Sequence, residues 1–333
     1  MNPNRQKGDK MENEKAPEKY NWRGHEKKAG RLEGWQLKQM QMLPLEAKIQ
    51  KTLQRIKEWY EKFDGLVYIS FSGGKDSLVL LYLVRTLYPD VPAVFINTGL
   101  EYPEIQEFVK TIDNVIWLKP KMHFTEVIDR YGFPLISKEQ AQYIQQYRNA
   151  KSEKTKDTRM NGDKGGRFKI SEKWKFLLNA PFKISEKCCD IMKKNPVKKY
   201  GKETGRNPII GIMAEESSKR VQNYLKFGCN AFDAKIPISR PMGFWKEKDV
   251  LLYIRKYKIP YASIYGDIVI LNGKLKTTGA HRTGCMFCMF GVHLDDLPNR
   301  FQKMKLTHPK IHEYCIEKLE LGKVLSYINV PYE

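Results

Sequence analysis

Residues 67–86, VYISFSGGKDSLVLLYLVRT, run from an apolar β-type segment through a glycine turn into a helical apolar pattern. Val67 to Phe71 reads as a buried strand. Leu78, Leu81, Leu83 and Val84 fall three to four apart, as the core-facing side of a helix requires. Between them, Gly73 and Gly74 permit positive φ and a close approach of the backbone. The N–H groups of the following helix N-terminus are then free to point at an anion, helped by the helix dipole. Ser72 and Ser77 add hydroxyls and Lys75 a point charge. The commoner ATP loop has a glycine five positions before the one preceding its lysine, and Ser or Thr just after that lysine. Ile69 and Asp76 stand in those places here. A bare Gly-Gly after a strand is also compatible with a plain tight turn.

Working outward, Leu45 to Phe63 repeats apolar residues at helical spacing (Leu45, Ile49, Leu53, Ile56, Trp59, Tyr60, Phe63), which predicts an amphipathic helix before the first strand. Ala93 to Ile96 predicts a second buried strand, ending in Asn97-Thr98-Gly99-Leu100-Glu101, and Pro103 opens a helix. Val115 to Leu118 predicts a third strand, followed by helical patterns at 124–131 and 138–148. Ile209 to Met213 predicts a further strand running into Glu215-Glu216-Ser217-Ser218-Lys219-Arg220. Asp249 to Tyr257 predicts a helix. Asn272-Gly273 between 268–271 and 274–277 predicts a hairpin. Strands alternating with helices at these lengths imply an α/β fold: a parallel twisted sheet with helices on both faces, and ligands at the strands' carboxyl edge.

The expected divisions are a polar, largely disordered tail over 1–40 that contains Trp22 and Trp35, an α/β nucleotide-binding domain over 45–260, and a small C-terminal cysteine-bearing region over 261–333. Residues 148–187 interrupt the rhythm with many Lys and Arg, interleaved with Phe168, Trp174, Phe176 and Phe182. Such a strip suits a phosphate backbone with stacked bases, and it equally suits an inserted loop with a small helix near 174–178. The net charge of +21 makes a polyanion partner, a nucleic acid above all, a reasonable expectation. No apolar run reaches the length of a membrane span, and the N-terminus is polar and charged. The expectation is therefore a cytoplasmic protein with no membrane partner.

The string Ser72-Gly73-Gly74-Lys75-Asp76-Ser77 resembles the signature of the PP-loop ATP pyrophosphatases. That resemblance implies an α/β enzyme that binds ATP or a related adenine nucleotide and often cleaves it between the α and β phosphates. It also implies that the loop cradles the phosphates, with Asp76 placed to help hold Mg2+ and Lys75 and Arg220 stabilising charge on the transferring phosphate. Asn97, Thr98, Gly99 and Glu101 are assigned to the adenosine or acceptor side.

Cys188-Cys189 and Cys285-Met286-Phe287-Cys288 hold four of the six cysteines in two tight pairs far apart in sequence. In a reducing compartment four thiolates suit zinc or an iron–sulfur cluster, and a CxxC alone suits structural zinc or a redox dithiol. Adjacent cysteines are uncommon in ribbon-type zinc sites, whose pairs keep a spacer. Isolated Cys229 and Cys315 read as packing residues.

A tandem Cys-Cys followed much later by CxxC on a PP-loop core resembles the sulfonucleotide (phosphoadenosine phosphosulfate, PAPS) reductase family. Glu215-Glu216-Ser217-Ser218-Lys219-Arg220 and the Pro241…Trp245…Asp249-Val250 stretch also resemble that family. The resemblance covers roughly 60–295 and implies that Cys188, Cys189, Cys285 and Cys288 hold a 4Fe-4S cluster near the nucleotide. The reductases' C-terminal Glu-Cys-Gly-Leu-His motif is absent. Cys315, the only late cysteine, lies in a helical pattern from about Pro298 to Leu321. ATP-using sulfurtransferases of DNA phosphorothioation combine the same two traits. Sulfur transfer or activation is therefore the activity the resemblance implies first, with ATP-dependent thiolation of a nucleic acid, served by a sulfur donor protein, as one form it could take. Reduction of an activated sulfate is the alternative, and a nucleic-acid-binding protein with a relic nucleotide site is a third.

Overall fold

The computed structural model describes residues 32–333, so the expectations for Trp22 and the stretch before Leu32 lie outside the described residues. Its first elements are two helices, α1 (Gly34–Met42) and α2 (Leu45–Lys62). The α1 helix overlaps the end of the 1–40 stretch expected to be a largely disordered tail and shortens it. It is weakly amphipathic, with only Leu37 buried, and so gave no periodic signal. In α2 the expected spacing buries Ile49, Ile56 and Trp59. Lys48 is buried with them and donates to Asp249 Oδ2 at 2.5 Å and to the Gln41 carbonyl at 2.9 Å.

The sheet begins with β1 (Val67–Ser70), followed by α3 (Lys75–Leu87), β2 (Ala93–Ile96), α4 (Pro103–Lys110) and β3 (Val115–Leu118). Then come α5 (Phe124–Tyr131), β4 (Leu135–Ile136), α6 (Lys138–Asn149), α7 (Glu153–Asn161), α8 (Asn195–Thr204) and β5 (Asn207–Ile210). Past β5 lie α9 (Ser218–Phe227), β6 (Asn230–Ala231), β7 (Ile238–Ser239), α10 (Glu247–Lys256) and the hairpin β8 (Ile268–Leu271) and β9 (Lys274–Thr277). The main sheet runs β3-β2-β1-β5-β7-β6, parallel except for the β6 edge. The chain therefore leaves β1 toward β2 and β3, and returns to β1's other side as β5. Ligands of open α/β sheets lodge at such a switch point.

Two apolar clusters fill the molecule. The first joins the sheet to α2, α3, α4 and α10, with Trp59, Leu78, Phe244 and Trp245 fully buried. The second draws on residues 100–192 together with 286–330. The apolar packing thus does not divide at 260/261, where the sequence suggested a boundary. The C-terminal residues share their core with the segment that follows β3. That sharing is fastened by β10 (Met289–Phe290), which pairs with β4 in parallel. In the 148–187 stretch, Ile170, Trp174, Leu177, Ala180 and Ile184 enter this core, and 172–179 forms a 3-10 helix. Trp174 is a packing residue, whereas Phe168 and Phe176 stay exposed.

The helical pattern expected over 298–321 is interrupted, giving α11 (Arg300–Thr307), α12 (Pro309–Glu313), a π-helical turn over Tyr314–Lys318 and α13 (Leu321–Tyr327). Pro309 forces the break by disfavouring helical backbone at His308, whose φ is −136°.

Candidate functional site

Two loops meet at the switch point. Gly73 has a φ of +71°, and a Cβ there would stand 2.6 Å from Ile105 Cγ2, so this turn requires glycine. Inside it, the Ser72 and Ser77 hydroxyls lie 3.0 Å apart. Ser77 Oγ accepts the Ser72 N–H at 3.2 Å and donates to the Gly74 carbonyl at 2.9 Å. These bonds fix the loop before any ligand arrives, leaving α3 to start with its first-turn N–H groups at the sheet's carboxyl edge. The loop after β5 approaches just as closely. A Cβ on Gly211 would stand 2.9 Å from the Asp76 carbonyl oxygen.

Between the loops lies a cavity of about 250 Å³, lined by Ser72, Gly74, Lys75, Asp76 and Ser77 on one side and by Gly211, Glu216 and Arg220 on the other. The expected phosphate-loop residues and Arg220 are thereby brought together. His281, Arg282 and Thr283, together with Tyr265, complete the wall. Lys75, only 5% exposed, donates to Glu247 Oε1 at 3.0 Å, and Glu247's other oxygen lies 3.1 Å from His281 Nε2. Glu216 pairs with Arg220 and stands 3.7 Å from Arg282. The Tyr265 hydroxyl lies 2.6 Å from Thr283 Oγ1, and burial pushes its pKa up to about 12. Burial also raises the Asp76 pKa, against the pull of Lys75, Arg282 and Arg220. The result is a small polar chamber in which cations and carboxylates hold one another in place.

Asn97, Thr98, Gly99 and Glu101 do not line that chamber. Their loop closes on itself, with Glu101 accepting the Thr98 N–H at 2.9 Å and the Thr98 hydroxyl at 2.7 Å, and Asn97 Oδ1 accepting the Gly99 N–H at 3.0 Å. It faces the cysteines instead. The Leu100 carbonyl accepts the Met286 N–H at 2.8 Å, and Glu101 Oε1 lies 3.7 Å from Lys193 Nζ.

Cys188, Cys189, Cys285 and Cys288 all carry free thiols. Burial raises the Cys188 pKa, and the other three sulfurs raise it further. Burial likewise raises Cys285 to about 11 and raises Cys288. Thiols that disfavour ionisation by burial and mutual repulsion are the kind a bound metal centre converts to thiolates. Cations ring them. Burial acts to lower the Lys193 pKa, but Cys285 and Glu101 together raise it, and Arg300 lies near Cys288 and donates to its carbonyl at 3.1 Å. Four thiols are the donor type an iron–sulfur cluster takes, and among the described residues no group of three or more His, Cys, Asp or Glu is placed to hold a metal ion. Cys229 and Cys315 are buried away from this group, and burial pushes Cys315 to about 12.

Residues 66–289 match the phosphoadenosine phosphosulfate reductase domain. The chain belongs to that family. An uncharacterized protein of Methanocaldococcus jannaschii is 26% identical over 279 residues, 80% of this chain but 46% of the relative, so the chain spans about half that relative's length. An adenosine 5'-phosphosulfate reductase of Geobacillus kaustophilus is 23% identical over 229 residues, covering 68% of this chain and 79% of the relative. The phosphate complex of a PAPS reductase from Candida auris, at 16% identity, aligns over 70% of this chain and 90% of that one with a TM-score of 0.36.

Sequence reasoning did not single out Glu247, nor Tyr265, His281, Arg282 and Thr283, which line the chamber. The one available signal was proximity. Thr283 stands two residues before Cys285, so any ligand role for that cysteine carries the preceding loop toward the nucleotide edge of the sheet.

Proposed function

We propose that the protein cleaves ATP or a related adenine nucleotide between its α and β phosphates to activate an acceptor. We further propose that it couples this step to sulfur transfer at a 4Fe-4S centre held by Cys188, Cys189, Cys285 and Cys288. The observation that carries the reading is the segment 281–285. Its His281, Arg282 and Thr283 line the phosphate chamber, and Cys285 stands two residues beyond Thr283, after Gly284. One short stretch of backbone thus belongs to both sites.

Entry of a triphosphate with Mg2+ exchanges partners inside the chamber. Lys75, Arg220 and Arg282, which face carboxylates in the free chamber, would turn to phosphate oxygens, and buried Asp76 would help hold the Mg2+ that accompanies the nucleotide. An acceptor oxygen attacks the α-phosphorus, the bond to the bridging oxygen breaks, and pyrophosphate leaves with its charge met by Lys75 and Arg220. Sulfide-level sulfur from a sulfur donor then attacks the acceptor atom that carries the adenylyl group, the new bond to sulfur forming as the bond to the adenylyl oxygen breaks and AMP leaves. A bound cluster supplies the sulfur-handling or redox chemistry for that displacement. Lys193 and Arg300 set a positive environment at the sulfurs.

Anaerobically purified protein given ATP, Mg2+ and candidate acceptors should form AMP and pyrophosphate in equal amounts. Formation of ADP and phosphate instead contradicts the reading. Sulfite formation from an activated sulfate would need a mobile late thiol, and Cys315 is fully buried in a π-helical turn. Cys315→Ser is accordingly expected to leave activity intact.

A further inference from the structure

On the helical half of the molecule a groove of about 1000 Å³ runs between the C-terminal ends of α5 and α6, the start of α7, and the strand-like segment at 183–184. Arg130, Arg148, Lys151, Arg159 and Lys183 line it, and no Asp or Glu does. Its remaining polar wall consists of amides and hydroxyls, among them Gln145, Asn149 and Thr155.

Neutral acceptors hold three of these cations, Arg148, Arg159 and Lys183, in place without cancelling their charge. Arg148 donates to four backbone carbonyls, those of Leu177, Leu178, Ala180 and Phe182, at 2.7–3.0 Å. Arg159 donates to Gln146 Oε1 and the Phe168 carbonyl, both at 2.8 Å, and stacks over the Tyr143 ring. Lys183 donates to the Asp129 carbonyl at 2.9 Å. Of the two acids next to lining residues in the sequence, Glu153 is turned to Lys156 and Asp129 is not part of the groove wall. Gathering five positive charges, three of them fixed, along a concave wall that no Asp or Glu lines is unfavourable in the free protein, and a chain of phosphates relieves it by releasing counterions.

From this geometry we infer that the groove is the seat of a nucleic-acid phosphate backbone. Concavity disfavours a flat anionic membrane, and the mixture of fixed guanidiniums, neutral amides and the Tyr131 ring suits phosphates, sugars and bases together. Its position links it to the cysteines. Ile184, on the groove wall, bridges to Phe133 and precedes Cys188 by four residues, a reach of at most about 14 Å of extended chain. The inference deepens the proposed sulfur transfer by making a nucleic acid the acceptor, yet it is tested without ATP or metal.

The test is fluorescence anisotropy with fluorescein-labelled mixed-sequence single-stranded RNA, single-stranded DNA and duplex DNA over a salt series. The full chain should bind at least one of them with log affinity falling by roughly 0.7–0.9 per phosphate contact per decade of salt. Lys151→Glu with Lys183→Glu, both exposed positions, should weaken binding by about tenfold or more and flatten the salt slope by about one unit or more. Lys274→Glu with Lys276→Glu, on the exposed hairpin, should bind like wild type, and circular dichroism melts should show both pairs folded. Groove variants that bind as tightly as the hairpin variants, or binding to phosphatidylserine vesicles in place of oligonucleotides, would overturn the inference. Iron content and pyrophosphate release are measured separately on the same groove variants, so failure of the sulfur-transfer reading is visible on its own.

Discussion

The phosphate loop is one continuous stretch, Ser72–Ser77, shaped by its own strand, turn and helix. The cysteine group comes from two distant places, 188–189 and 285–288, that meet because β10 pairs with β4 and the C-terminal helices share a core with residues 100–192. A site encoded locally depends on a few hydrogen bonds and a glycine. A site encoded by packing depends on everything that brings the two segments together. Substitutions should therefore separate the halves, and the separation can be read as stability, nucleotide chemistry and metal content.

The largest effect is expected at the ion pair beneath the sheet half. Lys48→Met leaves Asp249 charged and buried at 4% exposure without its partner, which should lower unfolding free energy by about 3–5 kcal/mol in urea titrations. Loss of the exposed Lys57–Glu61 pair in Lys57→Ala should change it by less than about 1 kcal/mol. Next comes Lys75→Ala, which should slow pyrophosphate release by about 100- to 1000-fold while the metal content of the protein stays as in wild type. A parallel loss of metal would show that the two sites are not separable. On the other side, Arg300 clamps the CxxC turn by donating to the Cys288 and Phe290 carbonyls at 3.1 Å and to both oxygens of Asp295. Arg300→Ala should cost about 1.5–3 kcal/mol and hasten release of bound iron to a chelator, with ATP affinity unchanged.

The smallest effect is a pH dependence at Asp76. Burial raises its folded-state pKa above the unfolded value, so the folded protein holds the proton more tightly. Its contribution to stability is full at pH below the unfolded pKa and is lost as pH rises through the raised folded pKa. Asp76→Asn should therefore be inactive yet more stable than wild type above that window, with the two stabilities converging on acidification. Equal stability at neutral pH would mean that the neighbouring cations already offset the burial.

The two halves also differ in how far the sequence disclosed them. Strands β1, β2 and β3, helix α2 and the Asn-Gly hairpin stand where periodicity and turn residues put them, because each carries several residues of its own signal. The paired strands β4 and β10 hold two residues each, too few to establish alternation. Helix α7 buries nothing, so it has no apolar stripe to read. Lys48 has no local signal for its burial, which the distant Asp249 explains. The phosphate loop was legible as a string. Glu247, Tyr265 and the 281–283 wall were not, since polar residues scattered over a helix start, a 3-10 turn and a loop acquire meaning only when folding gathers them around Lys75.

The central claim is that Cys188, Cys189, Cys285 and Cys288 hold one iron–sulfur centre beside the nucleotide chamber. Its most direct test is iron, sulfide and zinc per chain in anaerobically purified protein, with the visible spectrum recorded alongside. The account predicts about four irons and about four sulfides per chain, lost when Cys188 and Cys285 are changed to serine and retained when Cys229 or Cys315 is changed. Stoichiometric zinc with no sulfide would contradict it and leave the cysteines as a structural staple.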